Sequence, residues 1–205
     1  MLNNRFARVA RGAVMACALG GALLAAGCSK QPPAFQNLDI TGNTQFASDF
    51  SLPDTSGKIR TMADYKGKVV VLFFGYTHCP DVCPTTMAEL SQALQQLGPQ
   101  DAKRVQVLFV TVDPERDTPT LLAQYVPAFN PSFVALRPAN DAGLAKVAKD
   151  FRVYYAKVPG KTPDSYTMDH TAASYVFDTQ GKLRLFARDG QGAEPWVHDI
   201  KLLLD

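Results

Sequence analysis

Two short runs of nearly unbroken apolar sequence stand out along the chain, KVVVLFF at Lys68–Phe74 and VQVLFVTV at Val105–Val112. Runs of this length, rich in β-branched residues and without polar alternation, predict strands covered on both faces, as parallel strands are. Between them the period changes: Met87, Leu90, Leu94 and Leu97 recur at the spacing of one helix face. Pro84 suits the first helical turn and Gly98-Pro99 closes the segment. The result is a strand, helix, strand unit with parallel strands, the beginning of an α/β domain.

The same patterning continues downstream. Thr118-Pro119 opens a helix carrying Leu121, Leu122, Tyr125 and Val126, and a second begins near Asp141 with Leu144, Val147, Ala148 and Phe151. Two alternating strands, Ala173–Phe177 and Lys182–Ala187, are joined by DTQG, a hairpin signal. Glu194-Pro195 then starts a last helix with Trp196, Val197, Ile200 and Leu204 on one face. A βαβ unit followed by a ββα unit predicts a thioredoxin-like α/β fold, with a helix and strand insertion between the two units. FASDFSLPDTSGKIR at 46–60 adds an N-terminal β-hairpin extension.

The first 27 residues differ in kind. Arg5, Arg8 and Arg11 precede a stretch without charge from Gly12 to Gly27, too short to span a bilayer of roughly 20 residues and closed by small residues. Residues 1–27 therefore read as a signal peptide. Leu24-Ala25-Ala26-Gly27-Cys28 resembles a bacterial lipobox, which makes Cys28 the lipidated first residue of the mature chain. Residues 28–35, polar and proline-bearing, form a tether, and 36–205 the exported domain. The expected location is a bacterial cell envelope, membrane-anchored and facing the periplasm. The 21 basic and 19 acidic residues form no single-sign block, so nothing suggests a nucleic-acid partner.

Export changes the meaning of the four cysteines. Cys17 lies in the signal and Cys28 at the lipid site, which leaves Cys79 and Cys83, in FFGYTHCPDVCPTT, as the usable thiols. An oxidising envelope favours joining them unless a dedicated thiol reductant keeps them apart. Pro84 places Cys83 at the helix N-cap and Cys79 in the preceding loop, where unpaired N–H groups and the helix dipole favour thiolate. A disulfide over three intervening residues restricts the unfolded chain little, so a purely structural role is weak. The spacing is CxxxC, not the CxxC of thioredoxin-type oxidoreductases. Pro80 and Tyr76 stand where a peroxidatic cysteine needs its threonine.

Two thiolates make an incomplete copper or zinc site, and the chain offers three histidines as a further ligand. His78 ends a strand beside Cys79, and His198 belongs to the last helix. His170, in YTMDHTAASYVFD, precedes a strand of the ββ unit, in the loop that faces the active cysteines of thioredoxin-like proteins. Two thiolates and an imidazole suit copper, whereas structural zinc usually takes four protein ligands.

These residues resemble the Sco/SenC family, thioredoxin-fold proteins associated with assembly of cytochrome c oxidase. The resemblance runs through LDITG at 38–42, FSLPDTSGKIRT, GKVVVLFFGYTHCPDVCPTTMAEL, VTVDPERDTP and DHTAASYVFD. It implies one copper ion, Cu(I) or Cu(II), held by Cys79, Cys83 and His170. It also implies delivery to the dinuclear copper centre of the oxidase, or thiol:disulfide reduction of that centre's cysteines. The implied partners are the copper-bearing oxidase subunit or another cuproprotein, an envelope thiol reductant, and the membrane through the lipid, for a protein acting as a monomer. Asp113 and Asp117 are expected to organise the loop after the second strand. Asp81, between the cysteines, is placed to tune charge or meet a partner. Asp169 is expected to orient His170.

Overall fold

The computed structural model describes residues 34–47, 49–162 and 165–205. The signal peptide, Cys17, Cys28 and nearly all of the tether lie outside the described residues.

Ten strands are described: β1 (Leu38–Asp39), β2 (Ser51–Pro53), β3 (Ile59–Thr61), β4 (Val69–Gly75), β5 (Val105–Thr111), β6 (Val134–Leu136), β7 (Tyr155–Pro159), β8 (Tyr166–His170), β9 (Ala173–Phe177) and β10 (Leu183–Arg188). Four α-helices accompany them, α1 (Val82–Ala102), α2 (Pro119–Phe129), α3 (Asp141–Phe151) and α4 (Ala193–Leu204), with one 3-10 turn at Met62–Tyr65. Six strands form the main sheet in the order β1-β10-β9-β4-β5-β6. β4 pairs parallel with β5 in register Val69 to Val105, β5 pairs parallel with β6, and β9 lies antiparallel on the other side of β4. The βαβ unit and the ββα unit that the hydrophobic pattern predicts thus join through β4 and β9.

Every residue of β4 and β5 is buried, which explains why both read as unbroken apolar runs. α1 buries Met87, Leu90, Leu94 and Leu97, and α4 buries Trp196, Ile200 and Leu204. The hairpin expected near residues 46–60 is β2 with β3, a separate two-stranded unit. In DTQG, the Asp178 carboxylate accepts the Gln180 and Lys182 N–H groups, both at 3.0 Å, while Gly181 takes φ 76°. Its side chain thus mimics a turn of backbone.

Three differences from the sequence expectation matter. α1 begins at Val82 with Asp81 at the N-cap, so Cys83 is the second helical residue and not the cap. The first helical N–H groups need no carbonyl partner, so a proline at the third position is tolerated and does not fix the start. At the far end Gly98, with φ 81° and ψ 166°, does break the helix, but a short helical segment restarts at Pro99. Finally, β7 and β8 form a ribbon paired only with itself among the described strands, and His170 is its last residue, not part of a loop.

Candidate metal centre

The loop between β4 and α1 carries both thiols, and its shape is set from beneath. The buried Asp117 carboxylate accepts the Thr77 N–H at 3.1 Å, the Thr77 hydroxyl at 2.5 Å and the Thr111 hydroxyl at 2.6 Å. Burial pushes this carboxyl upward, and the hydroxyl donors of Thr111 and Thr77 pull it the other way. One side chain from the end of the β5–α2 loop therefore pins the residue two positions before Cys79. Next, the Cys79 N–H donates to the Tyr76 carbonyl at 3.2 Å, turning the chain over towards α1.

Cys83 is fully buried against β4. A Cβ at Gly75 would lie 2.9 Å from Cys83 Sγ, 2.8 Å from the Phe73 ring and 2.9 Å from the Phe109 ring. Only glycine leaves the sulfur that space. Cys79 is half-buried, and its sulfur accepts the Cys83 N–H at 3.4 Å. Both cysteines are free thiols.

The two sulfurs divide the charge unequally. The Cys83 side chain and the N–H groups of Asp81 and Cys83 together hold the Cys79 thiol at about 5, against the opposing effect of burial. The Cys79 neighbour and burial push Cys83 far above the ordinary thiol range. At neutral pH the pair therefore carries one thiolate, at Cys79, and one buried thiol.

His170 arrives from the ribbon. Side chains at 166, 168 and 170 share one face of β8, with Met168 buried, while Thr167 and Asp169 point to solvent. The His170 ring stands edge-on to Phe73 and Tyr76, with centroids 6.3 and 5.9 Å away. Its Nδ1 lies 3.1 Å from the Thr171 carbonyl, which can only accept, so Nδ1 carries the proton of the neutral ring. Nε2 then holds the lone pair, 3.6 Å from Cys83 Sγ. Cys79, Cys83 and His170 bring their ligand atoms within 4.8 Å of one another, the one such group among the described residues.

The remaining candidates stand elsewhere. His78 is exposed and bonded through Nδ1 to the Thr77 hydroxyl, and His198 is bonded to Asp199 on α4. Asp81 is exposed at the start of α1, without a side-chain capping bond. Asp113 is buried and accepts Arg116 Nε at 2.5 Å and the Tyr166 hydroxyl at 2.9 Å. Asp169, on the solvent side of β8, leaves the Thr171 carbonyl as the partner of His170 Nδ1. Sequence reasoning passed over Arg116, Tyr166 and Gly75. Tyr166 shares the strand period of His170, a signal readable once YTMDH is taken as a strand.

The SCO1/SenC family model matches residues 39–205. The mitochondrial SCO2 homolog of Bos taurus is 36% identical over 192 residues, covering 92% of this chain and 72% of that protein. The copper-bound structure of Bradyrhizobium japonicum ScoI is 42% identical, with a TM-score of 0.67 over 78% of this chain and 99% of the other. The apo Sco1 structure from Thermus thermophilus is 38% identical, with a TM-score of 0.73 over 83% and 98%.

Proposed function

This chain belongs to the SCO1/SenC family, and from that premise we propose that it is a copper metallochaperone of a bacterial cell envelope. It holds one copper ion between Cys79, Cys83 and His170 and delivers it to the dinuclear copper centre of cytochrome c oxidase. The observation that carries this reading is the convergence of two sulfurs and one imidazole nitrogen within 4.8 Å. Their chemistry fits the cargo: soft thiolates suit Cu(I), and the imidazole extends the set to Cu(II). Nε2 already has its lone pair free, and Cys79 is already thiolate at neutral pH. Cys83 must surrender its proton when the ion enters, so binding releases a proton near neutral pH. Delivery follows by ligand exchange, an acceptor's donors replacing these one at a time. The leader and Cys28 support a lipid tether to the membrane; no helix among the described residues is long and apolar enough to cross one.

A second reading draws on the unequal thiols. The half-buried Cys79 thiolate is built to attack a disulfide, and the enclosed Cys83 to resolve the mixed disulfide. Cys79 sulfur bonds to one target sulfur while the other leaves as thiolate. Cys83 gives its proton to the departed thiolate and its sulfur attacks Cys79, displacing the first target sulfur and leaving a Cys79–Cys83 disulfide and a reduced target. An envelope reductant returns the pair to thiols.

The test is Cu(I) competition against a chelator of known affinity, with the reduced full-length chain. Binding of one ion, weakened at least about tenfold by His170→Ala, is expected. No binding by the wild type, or equal binding by the variant, refutes the three-donor site. In a deletion strain, rescue of oxidase assembly by excess copper favours delivery; failure of rescue favours thiol reduction.

A further inference from the structure

The thiols and the imidazole are held by different means. Cys83 is buried on α1 against β4, and Cys79 lies half-buried in the loop between them, packed against the core. His170 ends a ribbon that pairs with no strand of that sheet among the described residues. Strand pairing with the main sheet resumes only at β9, three residues after His170, so the ribbon before it must be held by other contacts.

One cluster crosses from the body to the ribbon. Arg116, in the loop between β5 and α2, donates from Nε to Asp113 at 2.5 Å and from Nη1 to the Tyr166 carbonyl at 2.8 Å. Its guanidinium lies over the Tyr166 ring, 3.5 Å from the centroid, and the Tyr166 hydroxyl donates to the other Asp113 oxygen at 2.9 Å. Lys157 of β7 adds an ion pair to Glu115 and a contact over the same ring. Tyr166 is thus gripped at its carbonyl, its ring face and its hydroxyl.

The strand period passes that grip to the site. Tyr166 and His170 lie on the same face of β8, about 13 Å apart along the strand. A one-residue slip would turn His170 outward and Asp169 inward. Arg116 also stands 5.8 Å from the centre of the Tyr76 ring, which itself stands edge-on to His170.

We propose that Arg116 and Tyr166 are positioning residues for the metal centre, a latch that fixes the register and approach of β8 so that His170 Nε2 stays over Cys79 and Cys83. The inference rests on the copper-binding reading above. Neither side chain is a ligand; both act through His170. A planar, five-donor guanidinium suits the task because it can bridge two acceptors while lying flat on an aromatic ring.

A double-mutant cycle with His170→Ala tests the latch, read as Cu(I) affinity of the full-length reduced chain. Arg116→Ala is expected to weaken binding about tenfold when His170 is present and to have no effect in the His170→Ala background. An equal loss in both backgrounds overturns the latch, since the effect then runs through the thiols or the fold. No loss in either overturns it as well. If His170→Ala alone costs nothing, the three-donor site has failed and not the latch. Tyr166→Phe removes only the hydroxyl and keeps the ring and carbonyl, so it serves should Arg116→Ala not fold. A loss of about threefold, again only with His170 present, is expected; a loss independent of His170 refutes the proposal.

Discussion

Asp189, between β10 and α4, offers a sharp test of the electrostatics behind the thiols. Its Oδ2 is enclosed with no hydrogen-bond partner, and Oδ1 receives only a long 3.4 Å bond from Ser174. Burial, opposed by the Ser174 donor and reinforced by the negative charges of Glu89 and Cys79, raises its carboxyl from 3.8 to about 7. A raised carboxyl pKa means the fold favours the neutral acid. Below about pH 4 the group is neutral in both folded and unfolded chains and costs nothing. Above that the unfolded chain ionises first, and each pH unit removes about 1.4 kcal/mol until the folded group also ionises near pH 7. The full loss is about 4 kcal/mol, of which about 2 to 3 kcal/mol falls between pH 5 and pH 8. Asp189→Asn cannot ionise. In urea unfolding under reducing conditions, its stability relative to wild type should therefore rise by about 2 to 3 kcal/mol from pH 5 to pH 8. The Cys79 thiolate, whose depressed pKa adds stability over part of the same range, is present in both proteins and largely cancels in the difference. Parallel pH profiles, within about 0.5 kcal/mol, would show that Asp189 is solvated and refute the reasoning.

Other outcomes follow from the same geometry. Gly75→Ala forces a methyl into the Cys83 sulfur and the Phe73 and Phe109 rings, so a loss of about 1 to 3 kcal/mol is expected in urea unfolding; an unchanged midpoint would contradict that packing. Iodoacetamide at pH 7 should alkylate Cys79 and spare the enclosed Cys83, with the Cys79 rate levelling off above about pH 6, as a thiol near 5 requires. Peptide mass spectrometry checks the site, and equal labelling of both cysteines would undo the assignment.

The strands and helices that bury a face announce themselves in the sequence. β4 and β5 are apolar at nearly every position because both faces are covered, and α3 shows its period through Leu144, Val147, Ala148 and Phe151. The ribbon does not, because it has almost no buried face: only Met168 is buried, and β7 ends in exposed residues with Pro159. That is why YTMDH reads as a loop when only local patterning is used. The meeting of Cys79, Cys83 and His170 was legible in donor types and in the family motifs. The start of α1 was not, because a proline is compatible with several positions in a first turn. Nor were the grip of Arg116 on Tyr166 and the demand for glycine at 75, which arise from contacts distant in sequence.

The ribbon has a consequence for how strength and selectivity are apportioned. On the copper-binding reading, Cys83 is preorganised by the core and Cys79 by the loop packed against it, so their ordering cost is met when the chain folds. The third donor rides on an arm, and the free energy of keeping that arm in place is subtracted from whatever the imidazole contributes. Donor identity then decides which ion is preferred, while the hold on the arm decides how long it stays. If Arg116 and Tyr166 latch that arm, residence time is adjustable through positions that never touch the metal, with the ligand set unchanged.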